Sequence, residues 1–92
     1  MWKSHFDPKK SELNAQRRGL PFLMAEEFDF DSALYRIDDR HDYGETRIRA
    51  IGMIGARLHV MVYTETAYGI RVISLRKANL REVKYYEQAA AP

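Results

Sequence analysis

The chain contains no cysteine, which excludes disulfides, thiolate nucleophiles and cysteine-held metals and fits a reducing compartment. Long apolar runs are missing too. No stretch approaches membrane-spanning length, and MWKSHFDPKK at the start has charged residues where a secretion signal needs an apolar core. The expected location is the cytoplasm. The histidines, His5, His41 and His59, are scattered without metal-ligand spacing, and there is no Gly-rich phosphate loop, no GxSxG elbow and no HExxH. No metal or other cofactor is expected. What remains is 92 residues with 46% hydrophobic and 30% charged content, enough for one folded domain over 1–92 and far from the composition of disorder.

Charge is unevenly spread. Residues 1–45 carry seven Lys/Arg against ten Asp/Glu, a net −3, and residues 46–92 carry eight against three, a net +5, which together return the overall +2. A basic half in a small protein suggests an anionic partner, most often nucleic acid. The plain alternative is a solvated face that balances the acidic half.

Along the chain, 2–6 alternates loosely and reads as a short edge strand. Asp7-Pro8 is an N-cap followed by a first helical residue that has no N–H to lose, and Gly19 is a left-handed stop, so a helix is expected over 8–18. Leu13 is its only large apolar residue, which predicts a narrow buried seam. Pro21 opens a second short helix in which Phe22, Ala25 and Phe28 face the core. Residues 26–45 then hold eight acids and two arginines around a strand marked by Ala33, Tyr35 and Ile37. Further strands follow over 46–54 and 58–65, the latter apolar on both faces and therefore central. The run Ile70, Val72, Ile73 and Leu75 is a last strand. Asn79 and Glu82 then form a capping pair that starts a helix at Leu80. The expected fold is α+β: an antiparallel sheet of about four strands, two N-terminal helices and one C-terminal helix, with the helices on one sheet face and the other face at least partly free.

Two groups of residues can carry chemistry. Arg76 and Lys77 lie between the last strand and the helix start, a basic corner suited to phosphate. Arg81, Lys84, Tyr85 and Gln88 fall on one side of that helix, and Arg47 and Arg49 share a strand face. Strict alternation puts Arg71 opposite Arg76, so these arginines are not all expected on one face. The second group is Arg40-His41-Asp42-Tyr43-Gly44-Glu45. His41 can take or return a proton, and so can a buried Glu45. Their plain alternatives are an exposed loop histidine and a Glu45–Arg47 pair at a strand start. His59, among strand neighbours, reads as packed.

The segments FDPKK, N-x-x-RRG-x-P-F, RHDYGETR, Ile51-Gly52, VYTE and RVISLRKANLREVKYYE span nearly the whole chain. In combination they resemble the BrnT-type toxins of bacterial type II toxin–antitoxin systems. The resemblance implies a RelE-like fold, metal-independent RNA cleavage, and a small BrnA-like antitoxin whose ribbon-helix-helix domain binds operator DNA. It places His41, Gly44, Glu45 and Arg47 on the family's H-x-x-GE-x-R positions, and Ser74, Arg76, Lys77, Ala78, Glu82 and Tyr86 on its last motif. Two positions depart from it: Arg18 stands where the family often has His, and Leu75 where it has a small residue.

The expected function is thus a metal-independent endoribonuclease toxin that cleaves RNA and inhibits growth or translation. His41, Glu45, Arg47, Arg76 and Lys77 are the catalytic candidates, with Glu45 or His41 as base. Arg49, Arg71, Arg81, Lys84, Tyr85 and Tyr86 are the RNA-binding candidates, Arg81 holding backbone and Tyr85 stacking a base. The competing reading is a non-catalytic module that binds RNA, DNA or protein. In either case the acidic 26–45 stretch suits a small basic partner.

Overall fold

A computed structural model describes residues 3–90. Five strands, β1 (Lys3–His5), β2 (Leu34–Ile37), β3 (Ile48–Ile54), β4 (Arg57–Thr66) and β5 (Gly69–Lys77), form one sheet in the order β1-β5-β4-β3-β2. Helix α1 (Pro8–Arg18), a 3-10 helix (Phe22–Glu27) and helix α2 (Leu80–Ala90) complete the chain. The fold is α+β as expected, but the sheet has five strands and is mixed, because β1 pairs parallel to β5 while the other pairs are antiparallel. The edge strand expected over 2–6 is β1 itself; Trp2 lies outside the described residues. Among the described residues no helix is long and apolar enough to cross a membrane.

Local chemistry explains the element ends. Asp7 accepts from the Lys9 backbone N–H at 2.9 Å ahead of Pro8, and Gly19 at φ +71 closes α1 by donating to the Ala15 carbonyl. Gly55 at φ +61 is the first residue of the two-residue turn joining β3 to β4, the position where a tight hairpin of this hand needs glycine. The second N-terminal helix is a 3-10 turn rather than an α-helix. Its Phe22 and Ala25 are buried as expected, and Phe28 follows it into the core.

The expected apolar seam of α1 is not how that helix docks. Leu13 is 42% exposed, and the buried residue is Ser11, whose hydroxyl accepts from the Phe22 N–H at 2.9 Å. The Asn14 amide donates to the Leu20 and Leu75 carbonyls, each at 2.7 Å. Polar side chains capping buried backbone groups hold the helix, a mode that apolar spacing cannot reveal.

Helices cover both sheet faces, not one. Against α1 and the 3-10 helix lies the larger core, with Phe22, Phe28, Ala50, Met61, Val72 and Leu75. Phe28 sits so close to β3 that a Cβ on Gly52 would stand 2.6 Å from its ring. On the opposite face a smaller cluster of Ile51, Leu58, Val60 and Ala78 receives Val83 and Tyr86 of α2. Because α2 covers only part of that face, polar side chains occupy the remainder.

Candidate functional site

Alternation along β3 turns Arg49 away from Ala50 and Ile54, whose side chains lie in the larger core, and toward the face under α2. Along β5, alternation alone would send Arg71 and Arg76 to opposite faces. A register shift corrects this. Tyr63 pairs with Val72 but Val62 pairs with Ser74, leaving Ile73 as an extra residue, a bulge that resets the facing. Arg71, Ser74 and Arg76 therefore stand on the α2 face with Arg49, and the separation of the arginines expected from the sequence does not occur.

At the centre is Glu82. Its Oε1 accepts from the Asn79 N–H at 2.9 Å and from Arg76 Nη1 at 2.7 Å; its Oε2 accepts from Arg76 Nη2 and Arg49 Nη2, both at 2.7 Å. In turn the Glu82 N–H donates to the Asn79 Oδ1 at 2.9 Å. The helix cap expected from the sequence thus doubles as an anchor for two arginines. The Arg76 fork, against the opposing cost of burial and with help from the Asn79 N–H and Arg49, holds the Glu82 carboxyl at about 2. In return Glu82 pushes the Arg76 guanidinium above its ordinary value.

Beside this pair opens a cavity of about 280 Å³ floored by Val60, Val62 and Ser74 and walled by Arg18, Arg40, Arg49 and Arg76. Arg40, 70% exposed, reaches it from a loop where its Nε and Nη2 bind the buried Asp38 carboxylate at 2.7 and 2.9 Å. That fork holds the Asp38 carboxyl below its usual range. Four guanidinium groups thus meet only two carboxylates, Asp38 and Glu82, and the cavity carries a local excess of positive charge.

A second cluster lies one row along the same face. Glu45 accepts two bonds from Arg71 Nη2, at 2.6 and 2.8 Å, and stands 3.6 Å from Arg47. The Arg47 guanidinium lies 3.8 Å from the Tyr43 ring centre, and His41 meets the same ring edge-on at 5.7 Å. Arg47 is two residues from Arg49, a spacing of about 7 Å along an extended strand.

The remaining candidates scatter. Lys77 pairs in register with His59, and alternation from Arg76 sends it to the other sheet face. His59 is buried as expected, with Nδ1 2.9 Å from the Arg57 carbonyl oxygen, and burial lowers its pKa. Tyr86 donates to the Ser32 carbonyl at 2.9 Å and packs beneath α2. Arg81 and Tyr85 line a separate groove, and Lys84 is exposed. In the sequence Arg40 stands out only as a neighbour of His41, Arg18 only as a departure from the family pattern, and Glu82 chiefly as a cap. The signals were the basic last turn of the first helix and an acid two residues before Arg40. Among the described residues no three His, Asp or Glu side chains gather to hold a metal ion.

Guanidinium groups collected on one sheet face, behind a helix N-terminus, are of a kind suited to phosphate oxygens. Residues 6–82 match the family described as ribonuclease toxin, BrnT, of type II toxin–antitoxin systems, and the chain belongs to that family. Comparison with curated individual proteins gives no match. Membership implies RNA as substrate and an antitoxin as partner, and the matched span includes Arg49, Arg76 and Glu82.

Glu82→Gln is expected to lower stability at pH 7 by about 2–3 kcal/mol, since it unpairs two arginines from a buried charge. The depressed carboxyl contributes fully above its ordinary value of 4.5 and loses that contribution as pH falls toward about 2. Urea denaturation from pH 7 to pH 2 should therefore show the parent and variant converging. A gap that is constant with pH would contradict the assignment.

Proposed function

We propose that the arginine cavity binds the scissile phosphate of RNA and cleaves the strand without a metal. In the proposed step the 2′-oxygen attacks the adjacent phosphorus as its proton passes to Glu45. The phosphorus–5′-oxygen bond breaks, the 5′-oxygen takes a proton from solvent, and a 2′,3′-cyclic phosphate remains. Arg76 and Arg49, with Arg40 and Arg18 opposite, bear the added negative charge of the phosphorane, and Arg47 extends this support toward Glu45. The observation that carries the reading is the Glu82 anchor, which fixes two guanidinium groups before any substrate arrives. His41 packs against the Tyr43 ring and Lys77 faces the other side of the sheet, and neither takes a bond-making part in this scheme. Arg71 acts by holding Glu45, while Arg81, Lys84 and Tyr85 contact the rest of the strand and Tyr86 fixes the helix that carries them.

One observation favours a non-catalytic RNA-binding module instead: the Glu45 carboxylate is already occupied by Arg71 and faces Arg47. Incubation of the protein with labelled RNA in excess EDTA separates the two. Fragments with cyclic phosphate ends, reduced at least about 100-fold in a folded Arg76→Ala variant, are expected. Intact RNA that is bound in a salt-dependent manner would leave the binding module.

The proposed setting is the cytoplasm, where one domain over 1–92 limits growth or translation until a BrnA-like ribbon-helix-helix antitoxin covers it. Operator DNA is reached only through that complex. The acidic 26–45 stretch is the proposed docking region for basic segments of the antitoxin. Amide exchange there is expected to slow on complex formation, and unchanged exchange would count against it.

A further inference from the structure

Between α2 and the strands β2 and β3 runs a groove of about 290 Å³, separate from the arginine cavity but sharing Arg49 with it. Leu34, Ile51 and the ring of Tyr85 give it apolar walls. Tyr85 is 41% exposed, and the Arg36 guanidinium lies 5.5 Å from its ring centre with Nη2 3.4 Å from the hydroxyl oxygen. A flat aromatic or heteroaromatic group fits between such surfaces, and every nucleobase offers a π-face to stack.

The hydrogen-bonding character of the lining is one-sided. Arg36, Arg49 and Arg81 carry only donors. Glu82 is the one carboxylate in the lining, and each of its oxygens already accepts two bonds. The Tyr85 hydroxyl already accepts from Arg36 and is left to donate. A base whose exposed edge carries acceptors is satisfied here, whereas an exocyclic amino group meets side chains that are chiefly donors, with only tyrosine hydroxyl oxygens left to accept from it. Guanine presents N7 and O6 together, the pair that an arginine fork matches, whereas adenine replaces O6 with an amino group.

We propose that this groove is a nucleobase subsite that takes one unpaired guanine of the RNA strand, its neighbouring phosphate lying toward Arg49 and the arginine cavity. The assignment rests on the ribonuclease reading for the identity of the strand and adds a sequence preference to it. It makes Tyr85 the stacking platform and Arg36 and Arg81 the readers of the acceptor edge. Substrates with guanine next to the cut are then preferred, because the groove and the cavity meet at Arg49.

The test uses the full chain and 2′-O-methyl oligocytidines, which cannot be cleaved, carrying guanine, inosine, adenine or an abasic residue at one central position. Guanine and inosine, which share O6 and N7, are expected to bind about tenfold more tightly than adenine or the abasic strand. Tyr85→Ala should reduce the guanine and inosine strands to the abasic level with an unchanged salt slope, and Tyr85→Phe, which keeps the ring, should retain most of the preference. Equal affinity for all four strands, with salt dependence intact, would overturn the base subsite while leaving the phosphate cavity standing. Absence of salt-dependent binding to any strand would overturn both. A guanine preference that survives Tyr85→Ala in a folded variant would place the reader elsewhere and would also refute the proposal.

Discussion

The Glu82 carboxylate is the constraint on which the functional face depends. It caps α2, pairs with Arg76 from β5 and bonds Arg49 from β3, so one side chain ties helix position to the placement of two cations. A buried carboxylate of this kind is costly to desolvate, and its worth lies less in net stability than in fixing geometry. Guanidinium groups aimed in advance need not reorganise when phosphate charge develops, which is where such groups aid phosphoryl transfer most.

The bulge at Ile73 is the second requirement. Without it β5 would present Arg71 and Arg76 to opposite faces, and the row of Glu45, Arg47 and Arg71 would not continue into the row of Arg49, Ser74 and Arg76. The extra residue costs one place in the ladder and yields a single basic face on a sheet whose other face is a packed core. Positive charge and apolar burial are thereby separated across one layer of backbone. The partial cover provided by α2 then divides that face into a cavity and a groove.

Features decided by neighbours in sequence were legible: the Asp7 cap, the Gly19 stop and the Asn79–Glu82 pair each rest on residues within three or four positions. What long-range pairing decides was not. The parallel pairing of β1 with β5 leaves no trace in a three-residue strand, and Val72-Ile73 reads as an unbroken apolar run with no mark of a bulge. Helix α1 docks through Ser11 and Asn14, so a search for apolar spacing pointed to Leu13, which is exposed. In the site, Arg49 and Arg76 were legible as phosphate-binding types. Their convergence on Glu82, and the arrival of Arg18 and Arg40 from distant segments, required the fold.

The most direct measurement of the central claim is a double-mutant cycle on single-turnover RNA cleavage with Glu82→Gln, Arg76→Ala and the combined variant, each first shown to be folded. If Glu82 acts by holding Arg76 and Arg49 in place, the loss in the combined variant should fall well short of the product of the two single losses. Losses that simply multiply would contradict the account, because Glu82 and Arg76 would then be acting independently.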